Sequence, residues 1–208
     1  MKKTLLIALA LTFALSAGVF ARSLGLPNEL TNGSFEEPIE FPWQVEGRTV
    51  EQADQEPQDG AWVARSMNAY YSEDLPDGHL YQCFLADTGL YEVDFSGWVK
   101  RYVLGDGFAL MPDWGWVTVQ LTIDNIVVAE ETWAADDTWH YFELTAVGNV
   151  TCGKDVHILW GTAPGVGYKT FDVLLVDGLD LEERLVPEPV SILMVLGGLA
   201  GLAIRRRR

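Results

Sequence analysis

The chain has 208 residues, with 30 Asp and Glu against 14 Lys and Arg, and its formal net charge at pH 7 is −16. So acidic a protein offers no surface that would release counterions from phosphates, which excludes nucleic acid as a partner. Eight tryptophans and a hydrophobic content of 49% exclude a disordered linker.

The first 21 residues predict a cleavable secretory signal peptide. Lys2 and Lys3 precede an apolar stretch from Leu5 to Phe20, and Ala21 offers a small residue for cleavage. Without this segment and the C-terminal segment described below, residues 22–186 remain. That length suits one domain with its own hydrophobic core. The segment 22–186 is more acidic than the whole chain, because both removed ends are basic.

Residues 22–186 alternate apolar and polar side chains with a period of two, as β-strands do. The clearest strand is 116–124, and Asp124-Asn125 predicts a tight turn into a second strand at 126–129. Further strands are predicted at 30–36, 60–66, 79–85, 91–102, 139–146, 156–161 and 170–181. About nine strands separated by turn residues predict an all-β sandwich.

Two motifs at the ends of this domain resemble a known family. Residues 30–36 read Leu-Thr-Asn-Gly-Ser-Phe-Glu, and residues 174–181 read Leu-Leu-Val-Asp-Gly-Leu-Asp-Leu. This is similar to the galactose-binding-like carbohydrate-binding modules, which open with Asn-x-x-Phe-Glu and close with a Val-Asp-Asp-Val type strand. Gly178 replaces the second aspartate here. The resemblance implies a jelly-roll β-sandwich that binds polysaccharide.

The same resemblance implies a structural calcium ion. Asp177 shares the alternation of Leu175, Leu179 and Leu181, and an ionised carboxylate on an apolar face needs compensation. In the resembling modules the matching Asp and Glu help to hold calcium, so Glu36 and Asp177 are the expected ligands. An alternative is that Asp177 accepts backbone N–H bonds or lies at a frayed strand edge.

Aromatic side chains at polar positions of the alternation are the candidates for carbohydrate binding, because sugars stack their apolar faces on rings. Trp98 and Tyr102 share a face with charged residues, Trp116 shares one with threonines, and Trp114 directly precedes that strand. These four residues are expected to form one stacking platform. The alternative is that they pack under loops or pair across strands.

The two cysteines, Cys83 and Cys152, are expected to form a disulfide in an oxidising compartment, the alternative being two buried free thiols. Catalysis is not predicted. His79, His140 and His157 have no metal-ligand spacing, and no nucleophile motif or singled-out carboxylate pair is present.

The last 22 residues have three parts in fixed order: Pro187-Glu188-Pro189, the uncharged apolar run 190–204, and Arg205, Arg206, Arg207 and Arg208. As a helix the run would span about 22 Å, short of the ~30 Å hydrocarbon core of a bilayer. The arginines would stay in the cytoplasm, so the preceding domain lies across the membrane.

This tail resembles the PEP-CTERM sorting signal of exopolysaccharide-producing Gram-negative bacteria. The resemblance implies recognition by an exosortase and cleavage near the Pro-Glu-Pro motif, after export across the inner membrane to the envelope, outer surface or extracellular matrix. The alternative is an ordinary short C-terminal anchor. Together these features predict a non-catalytic carbohydrate-binding protein, or alternatively a structural surface or biofilm matrix protein without a sugar site.

Overall fold

The computed structural model describes residues 30–69, 77–85, 88–105, 109–162 and 171–186. The expected signal peptide, the sorting motif from Pro187 to Pro189, the helix 190–204 and Arg205–Arg208 lie outside the described residues. Within the described part of the chain, no helix is long and apolar enough to cross a membrane.

The described residues form two antiparallel sheets of five strands each, as the all-β prediction requires. Sheet I has the order β1-β4-β9-β6-β7 and sheet II the order β2-β3-β10-β5-β8. The strands are β1 (Gln44–Glu46), β2 (Glu51–Ala53), β3 (Val63–Ala69), β4 (Gly78–Phe84), β5 (Gly89–Leu104), β6 (Gly115–Ile123), β7 (Ile126–Ala134), β8 (Trp139–Val150), β9 (Lys154–Thr162) and β10 (Phe171–Leu185). A short 3-10 helix, Pro112–Trp114, precedes β6.

The hairpin predicted at Asp124-Asn125 is confirmed. Both residues have positive φ, 52° for Asp124 and 63° for Asn125, as a two-residue turn with the twist of its strands requires. Asp and Asn adopt this left-handed conformation more readily than other side chains. The turn joins β6 to β7, and β7 is an edge strand of sheet I.

The predicted strand 30–36 is instead a turn, because local bonds hold its backbone outside the extended region. Asn32 and Phe35 both have φ of 53°. The Asn32 side chain donates to Glu37 O at 2.8 Å and accepts from Glu37 N at 3.0 Å. The strands β1 and β2 were not predicted, since three residues are too few to show an alternation.

The hydrophobic core lies between the two sheets. From sheet II, β5 contributes Val93, Phe95 and Val99, and from sheet I the inward residues of β6 include Val119 and Leu121, all fully buried. Each such side chain stabilises the fold by roughly 1.5–3 kcal/mol relative to exposure. The core therefore uses one face of each sheet and leaves the outer faces for other roles.

A β-bulge in β10 corrects the expected alternation around Asp177. The register with β5 shifts between Asp177 and Asp180, where Gly178 has φ of +55°. Leu179 and Leu181 consequently belong to the core between the sheets, whereas Leu175 packs in a separate small cluster. Asp177 pairs with Trp98 on the outer side of sheet II and does not share a face with Leu179 or Leu181.

Part of the outer face of sheet II is covered by the segment between β2 and β3. Gln55 Nε2 donates to the Tyr102 hydroxyl at 3.0 Å, and Lys100 Nζ donates to Glu56 Oε2 at 2.7 Å. The small cluster of Ala53, Val63, Val173 and Leu175 lies on the same side. These contacts close this region of sheet II to a large ligand.

A buried ion cluster joins the loop after β1 to sheet II. Arg101 donates to the Asp172 carboxylate through Nε at 3.1 Å and Nη2 at 2.8 Å, and Arg48 Nη1 also donates to it. All three side chains are at most 1% exposed. The two guanidinium groups compensate the charge of the buried carboxylate, which would otherwise be costly to remove from water.

Candidate functional site

Three aromatic rings gather on the outer face of sheet I, where β4 pairs with β9. His79 and Tyr81 are alternate residues of β4, and Tyr81 lies opposite His157 in the register. The ring centroid of His79 lies 4.4 Å from that of Tyr81 and 5.1 Å from that of His157. Their planes differ by only 23° and 24°, so the three rings form one stacked group.

The two histidines are hydrogen-bonded to each other. His79 Nε2 and His157 Nδ1 are 2.9 Å apart, and His157 Nε2 lies 3.3 Å from Thr122 Oγ1. Burial lowers the pKa of both imidazoles, and the proximity of His79 lowers the pKa of His157 further. At least one of the two imidazoles must be neutral, because it has to accept the proton that the other ring donates.

Tyr81 connects this ring group to the edge strand β1. Its hydroxyl lies 2.9 Å from both Gln44 Oε1 and Glu46 Oε1 and donates to one of them at a time. The hydrogen bond to Glu46 raises the pKa of Tyr81, so the phenol stays protonated. Gln44 and Glu46 are exposed, and their remaining polar atoms are accessible to a ligand.

Trp116 and Gln120 extend the same surface along β6. Gln120 lies opposite His157 and donates to Glu130 Oε2 at 3.0 Å. Trp116 lies opposite Gly161, where an added Cβ would lie 2.6 Å from the indole Cζ2. A larger residue at position 161 would therefore clash with the half-buried indole of Trp116, which lies across β9.

We call His79, Tyr81, Trp116, Gln120 and His157 the polar-aromatic face. It combines ring surfaces with an amide, imidazole nitrogens and a phenol on one face of three neighbouring strands. Aromatic rings pack against the apolar faces of pyranose rings, while such polar groups bond to hydroxyls and fix their orientation. The arrangement is therefore suited to binding a hydroxyl-rich ligand.

The four aromatic residues expected to form one platform are not brought together. Only Trp116 lies on the polar-aromatic face; Trp98 and Tyr102 point outward from sheet II, the opposite side of the sandwich. Trp98 packs against Tyr141, with centroids 5.1 Å apart and planes tilted by 57°. Trp114 lies in the 3-10 helix before β6. Alternation shows which side chains of one strand share a face, but it does not show to which of the two sheets that strand belongs.

Glu36 and Asp177, the expected calcium ligands, have another role in this structure. Glu36 Oε1 accepts from the backbone N–H of Ala61 at 2.7 Å and of Trp62 at 3.1 Å. Asp177 Oδ2 accepts from Gln58 N at 2.6 Å and Asp59 N at 2.7 Å. The two carboxylates thus hold adjacent parts of one turn, residues 58–62.

A calcium ion here would need more oxygen ligands than these two carboxylates supply. Calcium takes six to eight oxygen ligands, and the oxygens described above already accept N–H bonds. Among the residues that the structure describes, no three or more His, Cys, Asp or Glu side chains form a group that could hold a metal. Burial raises the pKa of Asp177 in spite of its backbone bonds.

The expected disulfide is not formed: Cys83 and Cys152 are both exposed free thiols, although they line the same shallow pocket. Asp124 holds the turn that carries Cys152, accepting from Thr151 Oγ1 at 2.6 Å and Cys152 N at 2.7 Å. Burial and a hydrogen bond to Asp155 raise the pKa of the Cys83 thiol to about 11.

Comparison with known proteins gives a likeness in fold. No protein-family model matches the chain, and no curated protein matches it in sequence. TmCBM61, a carbohydrate-binding module solved in complex with β-1,4-galactotriose, is similar over 76% of this chain and 99% of its own, with a TM-score of 0.53 and 16% identity.

Two further carbohydrate-binding structures are more distant. A family 16 module aligns with a TM-score of 0.48 and 14% identity, over 74% of this chain and 99% of that one. The CBM22-1 xylan-binding domain of Paenibacillus barcinonensis Xyn10C aligns with a TM-score of 0.44 and 16% identity, over 74% of this chain and 94% of that one. The described residues thus share the β-sandwich fold of TmCBM61, whose TM-score is 0.53.

Proposed function

We propose that this chain is a non-catalytic carbohydrate-binding protein that attaches to extracellular polysaccharide through the polar-aromatic face. The observation that carries the proposal is the stacked group of His79, Tyr81 and His157, flanked by amide and carboxylate side chains, on a strand surface without a described covering segment. TmCBM61, whose fold is similar, was solved with a bound galactotriose, which supports the same chemistry here.

A site of this kind binds through many modest contacts. An aromatic contact contributes about 0.5–1.5 kcal/mol beyond its buried area, and a net hydrogen bond about 0.5–1.5 kcal/mol. A few such contacts give dissociation constants on the order of micromolar to millimolar. Polymers with repeated sugar units suit weak sites because many equivalent positions are offered to each protein molecule.

The proposal includes the sorting route. Residues 1–21 would direct export, and an exosortase would recognise Pro187-Glu188-Pro189 and remove the segment that ends in Arg205–Arg208. The product would be released or attached at the envelope or in the extracellular matrix. Mass spectrometry of the protein from its own host, with and without the exosortase, tests this step. An intact C-terminus in both strains would contradict it.

Binding is tested by affinity electrophoresis of the full-length chain, solubilised in an uncharged detergent, through gels that contain β-1,4-galactan, xylan or β-glucan. At least one neutral polysaccharide is expected to retard the chain, relative to a reference protein that binds none. If no neutral polysaccharide retards it, the binding proposal is wrong, and the alternative of a structural surface protein without a sugar site takes its place.

A further inference from the structure

We infer that the polar-aromatic face selects polysaccharides that carry no carboxylate or sulfate groups. This inference rests on the proposed function and deepens it, because it assigns the class of glycan that the site accepts. The observation behind it is the distribution of charge around the rings. Acidic side chains lie beside them, and the basic residues of the described sandwich lie elsewhere.

Carboxylates from three strands lie at or next to the polar-aromatic face. Glu46 on β1 accepts from Tyr81, and Glu130 on β7 accepts from Gln120 at 3.0 Å. Asp155 on β9 lies 3.2 Å from Thr122 Oγ1, which in turn contacts His157. A polymer with a negative charge on each sugar would meet repulsion along the whole width of the sheet.

Sheet I has no outward cation to offset these charges. Lys154 is the one Lys or Arg in its five strands, and that side chain is 1% exposed and paired with Glu183 of sheet II. The imidazoles of His79 and His157 do not supply positive charge at neutral pH, because burial lowers the pKa of both. Recognition of a uronate or sulfate needs Arg or Lys donors, which this face lacks.

The outer face of sheet II differs in this respect. Arg65 and Arg184 reach its surface, and Lys100 lies beneath the segment between β2 and β3; each forms an ion pair with a carboxylate at 2.6–2.8 Å. Basic side chains thus belong to the outer face of sheet II and not to that of sheet I. The binding surface itself therefore disfavours anionic polymers, in addition to the effect of the net charge. A charge substitution on each face can therefore separate the two effects.

Glu130→Lys and Glu143→Lys form the matched pair for this test. Both glutamates are exposed on edge strands, Glu130 on β7 of sheet I and Glu143 on β8 of sheet II. Both substitutions change the net charge by the same amount. Only the first places a cation beside Gln120 and the ring group.

The full-length wild type and both variants are run through gels that contain polygalacturonate or its fully methyl-esterified form. Gels with the neutral polysaccharides named above are run beside them. Each gel is run at about 20 mM and at about 500 mM salt. We expect no retardation of the wild type by polygalacturonate. For Glu130→Lys we expect at least threefold stronger retardation by polygalacturonate than for Glu143→Lys at low salt, lost at high salt because screening shortens the Debye length.

Retardation of the wild type by polygalacturonate as strong as by a neutral polymer would overturn the inference and leave the proposed function intact. Equal gains in Glu130→Lys and Glu143→Lys would also overturn it, since the net charge alone would then govern selection. If no neutral polymer retards the wild type, the proposed function fails, and the inference fails with it.

Discussion

His79 Nε2 and His157 Nδ1, 78 residues apart in sequence, are joined by a direct hydrogen bond of 2.9 Å across β4 and β9. One of the two imidazoles must accept this hydrogen bond through an unprotonated nitrogen, so the bond exists only while at least one of the two rings is neutral. Proton uptake by both rings would place two N–H donors against each other. The ring group at the centre of the polar-aromatic face is therefore sensitive to acid.

The stability of the fold should fall as the pH is lowered through the histidine range. Burial lowers the folded-state pKa of His79 and His157 below 6.5, although Glu46 and Asp155 partly oppose this. Below about pH 6.5 the unfolded chain binds more protons at these sites than the folded chain, which favours unfolding. Urea denaturation between pH 7.5 and 5 measures the effect.

The double variant His79→Gln, His157→Gln should show a smaller loss of stability between pH 7.5 and 5 than the wild type. His140→Gln is the control, because His140 belongs to sheet II and bonds to Asp136. If the double variant and the wild type lose the same stability over this range, the histidine pair does not cause the pH dependence.

Replacing Asp172 should destabilise the protein strongly. Asp172→Asn removes the charge that compensates the buried guanidinium groups of Arg101 and Arg48. Breaking a buried ion pair by removing one partner costs about 3–5 kcal/mol, since it leaves uncompensated buried charge. Urea denaturation measures the loss; Asp94→Asn, whose partly exposed carboxylate bonds to Arg184, should cost less than about 1 kcal/mol.

The turn at 58–62 should depend on Asp177 and be independent of calcium. Asp177→Ala leaves the N–H groups of Gln58 and Asp59 without their acceptor and should cost about 1–3 kcal/mol. Because the two carboxylates bond to backbone N–H groups, a chelator should leave the melting temperature unchanged. A drop with chelator that added calcium reverses would show instead that the native state binds the ion.

The two thiols should react at different rates. The thiolate is the reactive form, and a pKa of about 11 for Cys83, against a reference value of 9.0, leaves about 100-fold less thiolate at pH 8. Alkylation by iodoacetamide, followed by peptide mass spectrometry, should modify Cys152 first. Asp155→Asn should speed the reaction of Cys83 alone. Failure of both thiols to react before reduction would indicate the disulfide expected from sequence.

The strands of the sandwich were largely predictable, since alternation is a local property of a strand with one buried face. The residues of β4 to β10 carry that signal, and Asp124-Asn125 carries the signal of their hairpin. The turn at Asn32 and the bulge at Gly178 were not predictable from alternation, because side-chain bonds and a positive φ determine both.

The candidate site was largely missed because it depends on pairing between distant strands. In the sequence, His79 and His157 show only the lack of metal-ligand spacing, and nothing there singles out Tyr81 for binding. The available signal was the alternation of His79 with Tyr81 on one strand and of Asp155 with His157 on another. Only the register between β4 and β9 shows that these pairs are neighbours.

The central claim is that the outer face of sheet I binds glycan, and comparing the two outer faces tests it most directly. Binding of the full-length chain to the best neutral polysaccharide is measured for the wild type, Tyr81→Ala and Trp98→Ala, with folding checked by thermal denaturation. We predict at least a tenfold loss of affinity for Tyr81→Ala and less than a twofold change for Trp98→Ala. Loss in Trp98→Ala with full affinity in Tyr81→Ala would contradict the account and assign binding to sheet II.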